Sequence, residues 1–133
     1  MEELPVDGAA THGAKPVVLV VDDEYLACVH LVDALLERFD VIEVRTGDQA
    51  VEVLKAKPVD LVVTDRRMPG SLDGDALAEL VAEQFPGVPV LMMSGEWPAR
   101  CQTLAIAEFF PKPIDVRAVV TMATQLVAHR SEG

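Results

Sequence analysis

Val17-Val18-Leu19-Val20-Val21-Asp22-Asp23 changes character within a few residues: an unbroken apolar run, mostly β-branched, meets two adjacent carboxylates. The run lacks the polar alternation of a half-exposed strand and fits a strand buried on both faces of a parallel sheet. The same change recurs further on. Leu61-Val62-Val63-Thr64 ends at Asp65, Val88 to Met93 ends at Ser94-Gly95, and the brief Phe109-Phe110 run is followed by Lys112; Val41-Ile42-Glu43-Val44 reads as a further short strand. Helical patterns lie between the strands. Val29, Val32, Leu36 and Phe39 recur at helical spacing. Thr46 and Gln49 read as a capping box for a helix through Ala50, Val53 and Leu54 that Pro58 closes. Asp73 is a candidate N-cap for a helix from Gly74 to Phe85, Pro98 suits the first turn of a short helix, and Asp115 can cap a last helix carrying Val119, Met122, Ala123 and Leu126. Strand then helix, repeated along the chain, predicts an α/β fold: a doubly wound five-stranded parallel sheet with five helices.

Composition narrows the function classes. The 133 residues suit one domain, and a hydrophobic content of 50% supplies a core. A formal net charge of −11 argues against direct nucleic-acid binding, which needs clustered Lys and Arg. No segment approaches the roughly 20 apolar residues of a membrane span, and Met1 to Lys15 carries Glu2, Glu3 and Asp7 where a signal peptide has its apolar centre. The expectation is a cytoplasmic protein with no membrane contact, a flexible lead-in at 1–15, one domain at 16–130 and a tail at 131–133. Cys28 and Cys101 form no Cys-x-x-Cys pair and read as inert thiols in a reducing compartment. His12, His30 and His129 are too scattered to suggest a shared metal site.

In open parallel sheets ligands bind outside the carboxyl ends of the strands. Asp22, Asp23, Asp65, Ser94 and Lys112 all follow strands directly and therefore converge on one edge. Three crowded carboxylates repel one another and need a counter-charge. A hard divalent cation with oxygen ligands and retained waters fits, which points to Mg²⁺. Carboxylates can form aspartyl phosphates, and phosphoryl transfer asks chiefly for positioning and charge neutralisation. Lys112 and the Ser94 hydroxyl are suited to hold phosphate oxygens.

On Val20-Val21-Asp22-Asp23-Glu24, Thr64-Asp65-Arg66-Arg67-Met68-Pro69, Asp73-Gly74, Ser94-Gly95 and Phe109-Phe110-Pro111-Lys112-Pro113, the chain resembles the receiver domain of two-component response regulators, of the stand-alone type. The resemblance implies a flavodoxin-like sheet of order 2-1-3-4-5. It implies Asp65 as phosphoacceptor, Asp23 as a direct Mg²⁺ ligand, Asp22 as one acting largely through water, and the Arg67 backbone carbonyl as another. Ser94 and Phe109 match the hydroxyl and aromatic that move on phosphorylation, and Lys112 matches the phosphate-contacting lysine. The implied donor is a sensor histidine kinase or phosphotransfer protein. Output runs through an undetermined downstream protein or onward phosphotransfer, since no effector segment follows the last helix. Oligomeric state stays open.

Departures from the pattern carry expectations of their own. The Met68–Gly74 loop looks one residue longer than the common form. The Ser94–Lys112 stretch looks several residues shorter, which predicts a short or partly unwound fourth helix and argues against borrowing a family dimer geometry. Arg67 and Glu96 are expected near the pocket, where pairing between them would shield the acyl phosphate; two solvated side chains are the plainer alternative. Arg66 reads as a surface or partner-facing residue, and Trp97 as a packing residue. A phosphohydrolase forming the same aspartyl phosphate wants an Asp two positions beyond the nucleophile, where this chain has Arg67, so the chain is read as no turnover enzyme. A receiver-like domain that binds partners without phosphorylation is the remaining alternative.

Overall fold

A computed structural model describes residues 15–68, 70, 72–95 and 105–132. Five strands form one sheet in the order β2-β1-β3-β4-β5: β1 (Val17–Val21), β2 (Asp40–Val44), β3 (Leu61–Asp65), β4 (Val90–Ser94) and β5 (Glu108–Pro111). All neighbours pair in parallel, which bears out the flavodoxin-like order. The described residues hold four α-helices: α1 (Val29–Leu35), α2 (Gly47–Ala56), α3 (Gly74–Gln84) and α4 (Val116–Glu132). The short helix expected from Pro98 onward, with Trp97 and Cys101, lies outside the described residues; Ala105 to Ala107 is non-helical chain leading into β5.

The unbroken apolar runs have their explanation in two cores. Successive strand side chains point to opposite faces. Val18, Val20, Leu61, Val63, Leu91 and Met93 pack on one face with α1 and α4. Leu19, Val21, Val62, Val90 and Met92 pack on the other with α2 and α3. The central strands β3 and β4 are therefore buried throughout, whereas the edge strands β2 and β5 keep exposed positions.

Helix boundaries follow their caps. Thr46 accepts from the Gln49 N–H at 3.1 Å, but the Gln49 side chain returns to the Arg45 N–H at 2.8 Å, one residue earlier than a strict capping box. Asp73 caps α3 through the Ala76 N–H at 2.9 Å, and Asp115 caps α4 through the Ala118 N–H at 3.2 Å. Lys15, read as part of the lead-in, donates to the Leu36 carbonyl just past α1, and α4 continues to Glu132, two residues into the stretch read as tail.

Of the four positions expected to face the core, Val32 and Phe39 do so, and Val29 and Leu36 do not. Leu31, Val32 and Leu35 face the core, while Val29 and Leu36 are exposed. α1 spans only Val29–Leu35, so Leu36 already lies in the turn beyond it, where helical spacing no longer sets which side a residue faces.

One glycine fixes how α3 meets β3. A Cβ on Gly74 would collide with the Asp65 carbonyl oxygen and the Arg66 Cα, both backbone atoms that cannot swing aside. Gly74→Ala is expected to lower stability by about 1–3 kcal/mol, the usual cost of overpacking. Urea unfolding measures this; an unchanged midpoint would contradict the close approach.

Candidate functional site: an acidic pocket at the carboxyl edge of the sheet

β1, β3, β4 and β5 deliver Asp22, Asp65, Ser94 and Lys112 to one edge. The register explains the convergence. Asp65 pairs with Met93, and Ser94 with Pro111, so these strands end nearly level. Backbone bonds tie the ends together: Arg66 N–H to Met93 carbonyl and Lys112 N–H to Ser94 carbonyl, each at 2.8 Å.

Carboxylate oxygens of Asp22, Asp23 and Asp65 lie within 4.8 Å of one another. Asp22 and Asp65 are buried, at 4% and 6% exposure, while Asp23 faces solvent. Lys112 supplies a counter-charge, with Nζ 3.3 Å from Asp65 Oδ2 and 3.7 Å from Asp22 Oδ2. Burial pushes the Asp65 carboxyl above its ordinary range; Lys112 pulls against that shift, and Asp22 adds to it. Burial alone would lower Lys112, but the charges of Asp65 and Asp22 outweigh it and hold the ammonium above its usual value. One cation shared by three carboxylates leaves negative charge in excess. All three are hard oxygen donors, and one side is open to water. That donor set fits a hard divalent cation that keeps part of its hydration, such as Mg²⁺.

Asp22 is fixed at both oxygens: Oδ1 accepts from the Glu24 N–H at 2.8 Å, and Oδ2 from the Cys28 thiol at 3.0 Å. The sequence reading of Cys28 is a buried or inert thiol. It is indeed buried, and burial, followed by the bond to Asp22, pushes its thiol far above its ordinary value. It nevertheless touches the pocket, because the 3₁₀ turn folds it back over the end of β1.

The remaining expected residues are placed as follows. Ser94 is buried at the end of β4. Phe109 is half-buried, opposite Met92 in the sheet, on the face that carries α2 and α3, whereas Phe110 enters the other core. Arg67 is exposed and lines a cavity of about 250 Å³ with Arg66, Met68, Asp73 and Asp75. Glu96 lies outside the described residues. Arg66, expected as a surface or partner-facing residue, is half-buried: its Nε lies 3.1 Å from Asp75 Oδ2, with its side chain 13% exposed. An isolated Arg-x-x sequence gives no sign of this, because the partner stands nine residues on.

The family model described as the response regulator receiver domain matches residues 18–124. The chain belongs to that family. Among curated proteins it is similar to the response regulator protein FleR of Pseudomonas aeruginosa, 28% identical over 116 residues, covering 84% of this chain and 24% of FleR. It is also similar to the autoinducer 1 sensor kinase/phosphatase LuxN of Vibrio campbellii, 36% identical over 84 residues, 62% of this chain and 10% of LuxN. The chain thus spans a quarter or less of these relatives. Among solved structures, a response regulator receiver protein from Sinorhizobium medicae superimposes with a TM-score of 0.77 at 28% identity, covering 87% of this chain and 97% of that one. A CheY-like receiver domain protein from Methanospirillum hungatei gives 0.80 at 17% identity, covering 90% and 98%, a likeness of fold. Among the described residues no helix is long and apolar enough to cross a membrane.

The receiver's crowded carboxylates carry a stability prediction. Without divalent cations, Asp65→Asn should raise the melting temperature, because it removes a desolvated charge facing Asp22. Mg²⁺ should raise the melting temperature of the wild type and leave that of Asp65→Asn nearly unmoved. Equal response of both proteins in thermal unfolding would contradict a cation pocket built on Asp65.

Proposed function

We propose that this receiver domain is a Mg²⁺-dependent phosphorylation switch whose acceptor is Asp65. The carrying observation is Asp65 buried at the sheet edge with Lys112 Nζ at 3.3 Å and two further carboxylates around it. Asp22, Asp23 and Asp65, with the Arg67 carbonyl, are the groups that would hold the cation. When bound, the cation neutralises charge on the carboxylates and on the transferred group.

The chain's own residues carry the rest. An ionised Asp65 oxygen attacks phosphorus of a phosphohistidine; the P–N bond breaks, its electron pair returns to the imidazole, and the Asp65 acyl phosphate remains. Lys112 is already placed to move from carboxylate to phosphate oxygen. Ser94, at the end of the neighbouring strand, is the hydroxyl that would bond a second phosphate oxygen. Phe109 is half-buried in a sheet-edge position, where a rotamer change can follow Ser94 and bias partner binding. Water attack on phosphorus returns Asp65 and releases phosphate, so the domain resets itself without being a turnover enzyme. Arg67, two positions beyond Asp65, provides no acid for faster hydrolysis. Arg67 with Glu96 is proposed to slow it.

The donor is proposed to be a sensor histidine kinase or phosphotransfer protein in the cytoplasm, with a downstream protein as the output. An apolar seat for the donor adjoins the pocket. Leu26, 81% exposed, stands on the turn that brings Cys28 to Asp22, and Val29 follows at 36%. Beside them a cavity of about 320 Å³ is lined by Cys28, His30, Lys112, Pro113 and Ile114.

Phosphotransfer from a panel of phosphorylated kinases tests donor and acceptor together. Wild type should take up the labelled phosphoryl group with Mg²⁺, and Asp65→Asn should not. Leu26→Asp should lose at least about tenfold in transfer from the kinase, the scale of one interface anchor, while keeping its rate with acetyl phosphate. A domain that binds partners yet takes no phosphoryl group from either source would refute the switch.

A further inference from the structure

We infer that the Arg66–Asp75 ion pair is a positioning device that holds the backbone just past Asp65, at Arg66 and Arg67, in the geometry the cation pocket needs, an inference that rests on the Mg²⁺ reading above. Arg66 follows a strand buried along its whole length, and its side chain is 13% exposed. An apolar side chain would fill that place at less desolvation cost, so the charge has to be explained by what it fixes.

Three tethers meet at this residue. Its N–H bonds the Met93 carbonyl on β4 and its carbonyl accepts from the Gly74 N–H, both at 2.8 Å. Its Nε bonds Asp75 Oδ2 at 3.1 Å. Core packing of Leu77, Ala78 and Val81 and the close approach of Gly74 already seat α3. The side-chain bond, one residue further along α3, ties Arg66 itself to that seated helix. Arg67, the expected carbonyl donor, directly follows this anchored residue. The helix dipole favours Asp75 in the first turn of α3 whether or not Arg66 is present, so the pair can be broken from the Arg66 side without unmaking the helix.

Calorimetric titration of the full chain with Mg²⁺ separates positioning from simple charge. Through-space electrostatics predicts opposite effects: loss of the positive Arg66 tightens Mg²⁺ binding and loss of the negative Asp75 weakens it. Positioning predicts that Arg66→Gln and Asp75→Asn both weaken binding, each by about tenfold, as for outer-shell partners of metal sites. The double variant should be no weaker than the worse single, since one interaction is lost either way. Arg66→Lys, which keeps a cationic donor for the Asp75 carboxylate, should recover most of the affinity. Arg66→Met, apolar and of similar length, keeps the site filled should Arg66→Gln fail to fold, and should bind Mg²⁺ as weakly as Asp75→Asn. Affinities that stay at the wild-type value while the melting temperature falls, or that move in opposite directions, overturn the inference. A wild type that binds no Mg²⁺ overturns the metal-site reading itself, and this inference with it.

Discussion

Everything in this fold is arranged around the cost of placing carboxylates at the edge of an apolar sheet. Asp22 and Asp65 end strands with no solvent on either face, and both remain buried. Lys112, from the far side of the sheet edge, offsets part of the repulsion through ammonium contacts to each. The balance is left short of neutral, because Asp23 brings a third carboxylate into the same space. A pocket with surplus negative charge and an open side has the donor set that suits a divalent cation, and the proposed phosphoryl transfer builds on that.

The scaffold matters through its register. Parallel strands that end level place β1, β3, β4 and β5 termini together, and the backbone bonds from Arg66 to Met93 and from Lys112 to Ser94 keep them so. The glycine at 74 lets α3 press against the end of β3, which brings Asp75 within reach of Arg66. Packing on the two faces of the sheet thus sets electrostatics at its edge.

The sheet and the acidic pocket were legible in the residues, while several contacts around them were not. Unbroken runs such as Val17–Val21 and Leu61–Thr64 announce strands covered on both sides, and a polar residue directly after each run marks the functional edge. Caps at Thr46, Asp73 and Asp115 were equally readable, since capping depends on a few adjacent residues. The face of α1 was legible only in part, because apolar residues occupy several sides of it and the helix ends at Leu35, short of the apolar pattern. Cys28 as a partner of Asp22 depends on the 3₁₀ turn Tyr25–Cys28. The Arg66–Asp75 bond depends on the path of the intervening loop, which no local pattern encodes.

The central claim is that Asp65 is the residue whose chemistry the pocket serves. Intact-mass measurement after incubation with acetyl phosphate and Mg²⁺ tests it most directly. The account predicts a mass gain of one phosphoryl group on the wild type, lost when Mg²⁺ is chelated and absent from Asp65→Asn. A gain that persists in Asp65→Asn, or no gain in the wild type with Mg²⁺ present, would contradict it.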